Sequence, residues 1–385
     1  MGTTKMEGGD AMKKRVVAML LAACMMLALV GCGEKKTEEE PAPAPVEKEE
    51  PAPAPAPVPE PVPEPEPEPE PVPALPEHMN PLTGEEIDPE KINDRPVAVM
   101  FNNLKAAQPQ IGQSTADIIY EIEAEGGITR MVGVYQSLDG VGTLGSIRST
   151  RPYYLEVALG HDAMLVHAGA SPEAYKNIDS WGVDNMDGVN GASDAQIFWR
   201  DAQRKKNAGY EHSMVTSSEK ILEYLAKDKF RLEHKDGYAY TQNFAVEGTP
   251  ENGGDAGKLT LRFSAYKTGT FTYDADSGLY MVGQYGGKYV DGATNEQVGV
   301  TNVLVLETEI GEIPGDKALR CRARMTGTGE GEFFCGGKSL PIKWSKADRN
   351  SQFVYTLEDG TPLTLGQGTS YVCIIDPTRS TLTVE

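Results

Sequence analysis

The chain has 385 residues, a formal net charge of −21 and five cysteines, Cys24, Cys32, Cys321, Cys335 and Cys373. A chain this acidic, with no basic stripe, argues against nucleic-acid binding through phosphate neutralisation and against electrostatic attraction to anionic lipid. No two cysteines form a C-x-x-C pair, so zinc ribbons and thioredoxin-like redox sites have no support.

Lys13, Lys14 and Arg15 precede an apolar run at 16–30, the length of a signal peptide and short for a mature membrane span. Leu29-Val30-Gly31-Cys32 closes the run and resembles the bacterial lipobox. That resemblance implies cleavage before Cys32 and diacylglyceryl transfer to its sulfur, so 1–31 reads as a lipoprotein signal segment. Each buried CH₂ contributes about 0.8 kcal/mol, so a multi-chain lipid on Cys32 anchors the protein to a membrane without spanning it. The expected location is the extracytoplasmic face of a bacterial cell membrane.

Residues 32–78 read as a disordered Pro/Glu-rich stalk. Sixteen of the 27 prolines lie in 41–76, and 34–77 holds thirteen Glu against three Lys, which is −10 of the net charge. Alternating proline favours polyproline II, so the segment is a semi-rigid spacer whose reach is on the order of 100 Å at about 3.1 Å per residue.

Residues 79–243 read as an amino-terminal α/β or α+β domain. Arg95-Pro96 introduces a strand at 97–101 that stops at Asn102-Asn103. A second strand at 118–122 sets Glu121 and Glu123 on the face opposite Tyr120 and Ile122. Gly126-Gly127 turns it into a third at 130–137, so 118–136 is a predicted hairpin. A helix is expected at 152–159 with Pro152 in its first turn, then a buried run at 163–166 ending at His167-Ala168-Gly169. Ser171-Pro172-Glu173 opens another helix, and Thr216-Ser217-Ser218-Glu219 is a capping box ahead of 221–225.

Candidate chemistry concentrates in 116–169. The loop Gly145-Ser146-Ile147-Arg148-Ser149-Thr150-Arg151 places two Arg and three hydroxyls before a helix start, a composition that favours a carboxylate or phosphate. The alternative is that Arg148 and Arg151 pair with Glu121, Glu123 or Glu125. The ligand-binding candidates are Glu121, Glu125, Arg130, Ser146, Arg148, Ser149, Arg151, His167 and Asp201; His161, Asp162 and His212 complete the polar set. A nucleophile–base pair of Ser146 or Ser149 with His167 lacks a G-x-S-x-G elbow. No H-x-H, H-E-x-x-H, Walker or G-x-G-x-x-G pattern is present in a suitable context, so neither metal nor cofactor is expected.

Residues 244–385 read as a smaller, mostly-β domain. The run 258–264 alternates, 270–273 and 279–285 flank the turn Asp276-Ser277-Gly278, and 300–310 is a longer strand. In 319–325, Leu319, Cys321, Ala323 and Met325 alternate with Arg320, Arg322 and Arg324, a row that reads as a solvated face, with a carboxylate-binding stripe as the alternative. Glycine turns at near-regular spacing predict a small sandwich or barrel, with Trp344 and Tyr371 at the core edge. Cys321 and Cys335 are a disulfide candidate closing a loop of about 15 residues, which contributes about 3 kcal/mol in the chain-entropy model. Three buried thiols, including Cys373, are the alternative.

The stretches DRPVAVMFNN, PQIGQSTADIIYEIEAEGGITR, GSIRSTRPYY, HDAMLVHAGASPEA and FWRD resemble the amino-terminal domain of the YerB-like family of bacterial lipoproteins. GTGEGEFFCGGKSLPIKWSK and FVYTLEDGTPLTLGQGTSYVCII resemble its carboxy-terminal domain. The resemblance implies two domains of unknown function and supplies no reaction. We therefore expect a membrane-anchored binding or scaffold module directed at peptidoglycan, another wall polymer or an envelope protein. A hydrolase or transferase holding an anionic substrate at Arg148 and Arg151 is the alternative.

Overall fold

The computed structural model describes residues 74–191, 194–227 and 230–385. The signal segment, Cys32 and nearly all of the Pro/Glu-rich stalk lie outside those residues.

Strand β1 (Val97–Asn102, sequence VAVMFN) is buried along its whole length. Strands β2 (Ile118–Glu125) and β3 (Ile128–Tyr135) form the expected hairpin, turning at Gly126 and Gly127, whose φ values of 57° and 81° suit glycine. β3 returns antiparallel to β1. Helix α1 (Pro152–Gly160) starts at its proline and leads into β4 (Met164–His167), parallel to β1. Helix α2 (Pro172–Trp181) is capped by Ser171 Oγ, which accepts from Ala174 N at 3.1 Å, and stops at Gly182. This crossover makes β5 (Asn185–Asp187) parallel to β4. A four-residue helix at Asp194–Ile197 and two longer helices, α3 (Ala202–Ala208) and α4 (Ser218–Leu225), follow. The cap of α4 is Ser217, one residue after the start of the expected box, because Thr216 Oγ1 donates to Ile197 O instead.

The carboxy-terminal half is β among the described residues, but its strands do not close into one small sandwich or barrel. Strands β6 (Lys258–Arg262), β7 (Thr268–Asp274) and β8 (Leu279–Gln284) belong to a six-stranded sheet. Strands β9 (Asn302–Glu307), β10 (Gly327–Cys335), β11 (Lys338–Lys346) and β12 (Ser370–Ile375) join the sheet of the first half. The final strand, β13 (Thr381–Val384), pairs with β6. The eleven-stranded sheet runs β11-β10-β9-β12-β2-β3-β1-β4-β5 through both halves, with two short strands at its β11 side. The reason lies in β12, SYVCII: all six residues are buried, so it needs a strand on each edge, and it takes β2 and β9, both parallel. The single strand expected at 300–310 is three pieces, Gly299–Val300, β9 and Ile310–Glu312.

One face of the large sheet packs Tyr120, Ile122, Val132 and Leu165 under α1 and α2, with Tyr153, Tyr154 and Ile178. The other face packs Ile119, Met131 and Phe101 against Leu259, Phe271 and Tyr280 of the second sheet. Trp344 and Tyr371 are 2% and 0% exposed, inside the core and not at its edge. In 319–325 only Cys321–Ala323 is strand, and Leu319 is exposed with φ 53°. The candidate Cys321–Cys335 bridge is not formed, and Cys321, Cys335 and Cys373 are free and buried. Cys335 pairs across Asn302 and Ser370 with the Ile118 end of β2, whereas Cys321 Sγ donates toward Glu123, further along that strand. The separation exceeds what a disulfide spans. Among the described residues no helix is long and apolar enough to cross a membrane.

Candidate functional site

The parallel strands β1, β4 and β5 end together, the place where open α/β sheets hold ligands. The loop 145–151 lies across these ends because its backbone is bonded to them. Arg148 N donates to Met100 O, and Ala168 N to Arg148 O, each at 3.0 Å; Ile147 N donates to Met214 O at 2.8 Å. Arg148 and Ser149 thereby face a cleft of about 430 Å³, lined also by Tyr175, Asn190, Arg200 and Tyr210.

Arg148 pairs through Nη2 with Glu211, an exposed residue on the turn Tyr210–His212. The Nε of Arg148 is buried and has no hydrogen-bond partner among the described residues. Arg200 stacks 4.0 Å above the Tyr210 ring and donates to Tyr210 O at 2.8 Å. Tyr175 donates to Asp187 Oδ2 at 2.9 Å and accepts from Asn190 Nδ2 at 2.6 Å, and burial pushes its hydroxyl up. Asp187 Oδ1 accepts from Gly169 N at 2.8 Å and Val189 N at 2.9 Å, fixing both loops of the rim. The cleft thus brings together two guanidinium groups, the Glu211 carboxylate that pairs with one of them, and the Tyr175 and Asn190 hydrogen-bonding groups; guanidinium is the side-chain chemistry that recognises carboxylate or phosphate.

The remaining candidates fall into structural positions. Ser149 Oγ donates to Ala168 O at 2.9 Å. His167 is fully buried under the cleft, its ring nitrogens 2.9 Å from Gly169 O and 3.1 Å from Asn185 Oδ1, so neither Ser146 nor Ser149 is its partner and the serine–histidine pair that lacked an elbow in the sequence is not made. Ser146 is buried, with no hydrogen-bond partner for Oγ among the described residues. Asp201 caps α3, accepting from Arg204 N at 2.7 Å. Arg130 and Arg151 both clasp Glu125, Arg151 through Nε at 3.0 Å, so the pairing alternative holds for Arg151, whereas Arg148 takes Glu211, which was not among the expected partners. Burial, then the charge of Arg151, pulls Arg130 down to about 10.

Glu121 is not at the cleft. It faces the second sheet, fully buried, with Lys267 Nζ and Asn103 Nδ2 each 2.8 Å from Oε1 and the Tyr371 hydroxyl 2.5 Å from Oε2. Glu123 accepts from Arg379 at 3.0 Å. His161 lies 2.8 Å from the Tyr120 hydroxyl, and burial pulls it down to about 3, leaving it neutral. Burial raises Asp162, but hydrogen bonds from His234 and Arg231 outweigh this and hold its carboxyl well below the usual range. His212 sits 2.9 Å from Asn102 Nδ2 and is lowered by burial.

Sequence reasoning missed Tyr175, Asn190, Arg200, Tyr210 and Glu211 as cleft residues. The one available signal was Asp187-Gly188-Val189-Asn190-Gly191, turn chemistry directly after a buried strand. A second cleft, about 440 Å³ beside Thr249, Pro250, Phe333, Leu340 and Leu363, is apolar in lining and carries no such cluster. Among the described residues no group of His, Cys, Asp or Glu is arranged to hold a metal ion.

Residues 82–231 match the family described as "Protein of unknown function (DUF3048) N-terminal domain", and 259–372 match its C-terminal domain. The chain is 28% identical over 301 residues to "Putative lipoprotein YerB" of Bacillus subtilis (strain 168), covering 77% of this chain and 85% of that protein. The crystal structure of the YerB protein from Bacillus subtilis superposes with a TM-score of 0.67 at 26% identity, over 79% of this chain and 99% of that one.

Proposed function

The chain belongs to the DUF3048 family and carries both of its domains, and from that premise we propose that it is a lipid-anchored envelope protein whose folded part binds an anionic ligand. Similarity to a protein named as a lipoprotein, together with the basic flank, apolar run and Leu-x-Gly-Cys32 of this chain, supports the anchor and an extracytoplasmic location. The Pro/Glu-rich stalk supports reach from the membrane toward the wall, and the proposed ligand is peptidoglycan, whose peptide stems present carboxylates.

One observation carries the binding reading. Arg148 and Arg200 face the cleft, and the carboxylate that Arg148 holds, Glu211, is itself exposed and replaceable. The groups that a hydrolase or transferase would need there are committed elsewhere: Ser149 to Ala168 O, His167 to Gly169 O and Asn185. Binding therefore fits the lining better than nucleophilic chemistry.

The test is a thermal melt of residues 74–385 against muropeptides, teichoic-acid fragments and nucleotide-sugar precursors. A ligand at 100 times its dissociation constant adds about 2.7 kcal/mol. The expected result is a raised midpoint with muropeptides that disappears in Arg148→Ala. A shift that survives Arg148→Ala, or no shift with any anionic compound, overturns the assignment.

A further inference from the structure

The buried group around Glu121 has chemistry that the anion-binding cleft does not use. Lys267 is 0% and Glu121 1% exposed, in the layer between the two sheets. Lys267 ends the turn between β6 and β7. Ser264 Oγ pins that turn to the β2–β3 turn by donating to Gly127 O at 2.6 Å. Asn103 follows β1 and is held from both sides: its Nδ2 donates to Thr129 Oγ1 at 2.9 Å, and its backbone O accepts from the Tyr285 hydroxyl at 2.6 Å. The Lys267 ammonium lies 5.2 Å from the Phe263 ring and 5.5 Å from the Tyr285 ring, so its surroundings are aromatic.

Two features do not fit a finished structural network. Asn103 Oδ1 is buried with no hydrogen-bond partner among the described residues, and Lys267 Nζ finds no acceptor besides the contact to Glu121. Buried polar atoms are ordinarily satisfied, so each exception calls for a reason. The second feature is the shared oxygen. Glu121 Oε1 stands 2.8 Å from Lys267 Nζ and 2.8 Å from Asn103 Nδ2, touching the nitrogen that could lose a proton and the nitrogen that could gain one.

We infer that this cluster is an autocatalytic modification site, in which Lys267 and Asn103 join through an amide bond with Glu121 as the proton carrier. Lys267 begins with three protons on Nζ. One passes to Glu121 Oε1 and frees the lone pair, which attacks Asn103 Cγ and forms the Nζ–Cγ bond. A second passes through the same carboxyl to Nδ2, and the third stays on the new amide. The Cγ–Nδ2 bond breaks with its electron pair on nitrogen, and Nδ2, now carrying three protons, leaves as ammonia. Glu121 ends protonated; nothing is oxidised or reduced and no co-reactant is needed. The Tyr371 hydroxyl on Oε2 and the Thr129 hydroxyl on Oε1 hold the carboxyl in place while the proton moves. Exclusion of water keeps the amide from competing hydrolysis. The product removes a buried ammonium and ties the segment after β1 to the β6–β7 turn, a covalent clasp between the two family domains.

The experiment is mass spectrometry of the mature protein extracted from cells, intact and after trypsin. The expected result is a mass lower by one ammonia, no cleavage after Lys267, and a branched peptide joining Lys267 to Asn103. Glu121→Gln is expected to retain the full mass and to cleave normally after Lys267. A wild-type protein with a free Lys267 side chain overturns the inference. So does ammonia loss without the branched peptide, since an Asn103 succinimide has the same mass. The wild-type digest decides the matter even if Glu121→Gln does not fold.

Discussion

Arg148 and Arg151 stand on one loop and each meets a glutamate, yet their surroundings differ. Glu125 is shared by Arg151 and Arg130, whose side chains are 8% and 4% exposed, at the first turn of α1. The Arg148–Glu211 pair has side chains 22% and 55% exposed, beside an open cleft. Water can replace either partner of the second pair and neither arginine of the first. Burial, not residue type, separates an arginine that holds the fold from one available to a ligand.

The largest expected effect breaks the buried side of that contrast. Glu125→Ala leaves two buried guanidinium groups without their carboxylate and should cost about 3–5 kcal/mol, read by urea unfolding. A loss below about 1 kcal/mol would erase the distinction, since that is the range of exposed pairs.

The next sharpens it with a buried group that is neutral instead of paired. His161 stays unprotonated in the native state down to about 3, whereas the unfolded chain takes up a proton near the ordinary value of 6.5. Its contribution is therefore full above about pH 6.5 and falls as pH drops, by about 2–3 kcal/mol at about pH 4.5. Asp117, pushed up to about 6 by burial, gains stability over the same window. The effect is accordingly measured as the difference in pH slope between wild type and His161→Gln, which keeps a hydrogen-bonding group for Tyr120. Equal slopes would show that His161 titrates normally in the folded state.

The smallest effect on stability belongs to the open pair. Glu211→Gln should change unfolding by less than about 1 kcal/mol while tightening anion binding, because Arg148 no longer holds an internal carboxylate. Calorimetric titration with muropeptides reads the second part; weaker binding would assign Glu211 to the ligand site itself.

The hairpin of β2 and β3, helix α1, the buried run of β4 and the Ser171 cap were legible because apolar period, proline and glycine act within a few residues. Three features were not, for one physical reason. Which glutamate Arg151 takes, that Lys267 lies against Glu121, and that β12 pairs with β2 are set by segments far apart in sequence. A buried lysine such as Lys267 in AYKTG has no local mark, because its partner belongs to another sheet. The cleft was half legible for the same reason: Arg148 and Ser149 stand in a suggestive loop, whereas Arg200, Tyr210 and Glu211 reach it from a different excursion of the chain.

The place of β12 governs the order in which the molecule can be built. It is the last strand but one to leave the ribosome, and it lies in the middle of the large sheet, between β9 and β2. A nascent chain ending before residue 370 has two strands facing each other across an empty position. Each carries a row of unpaired backbone groups that can template aggregation. Completion of the sheet therefore waits for the end of translation, and early release or a stop codon near the carboxyl terminus removes the centre of the molecule and not its fringe.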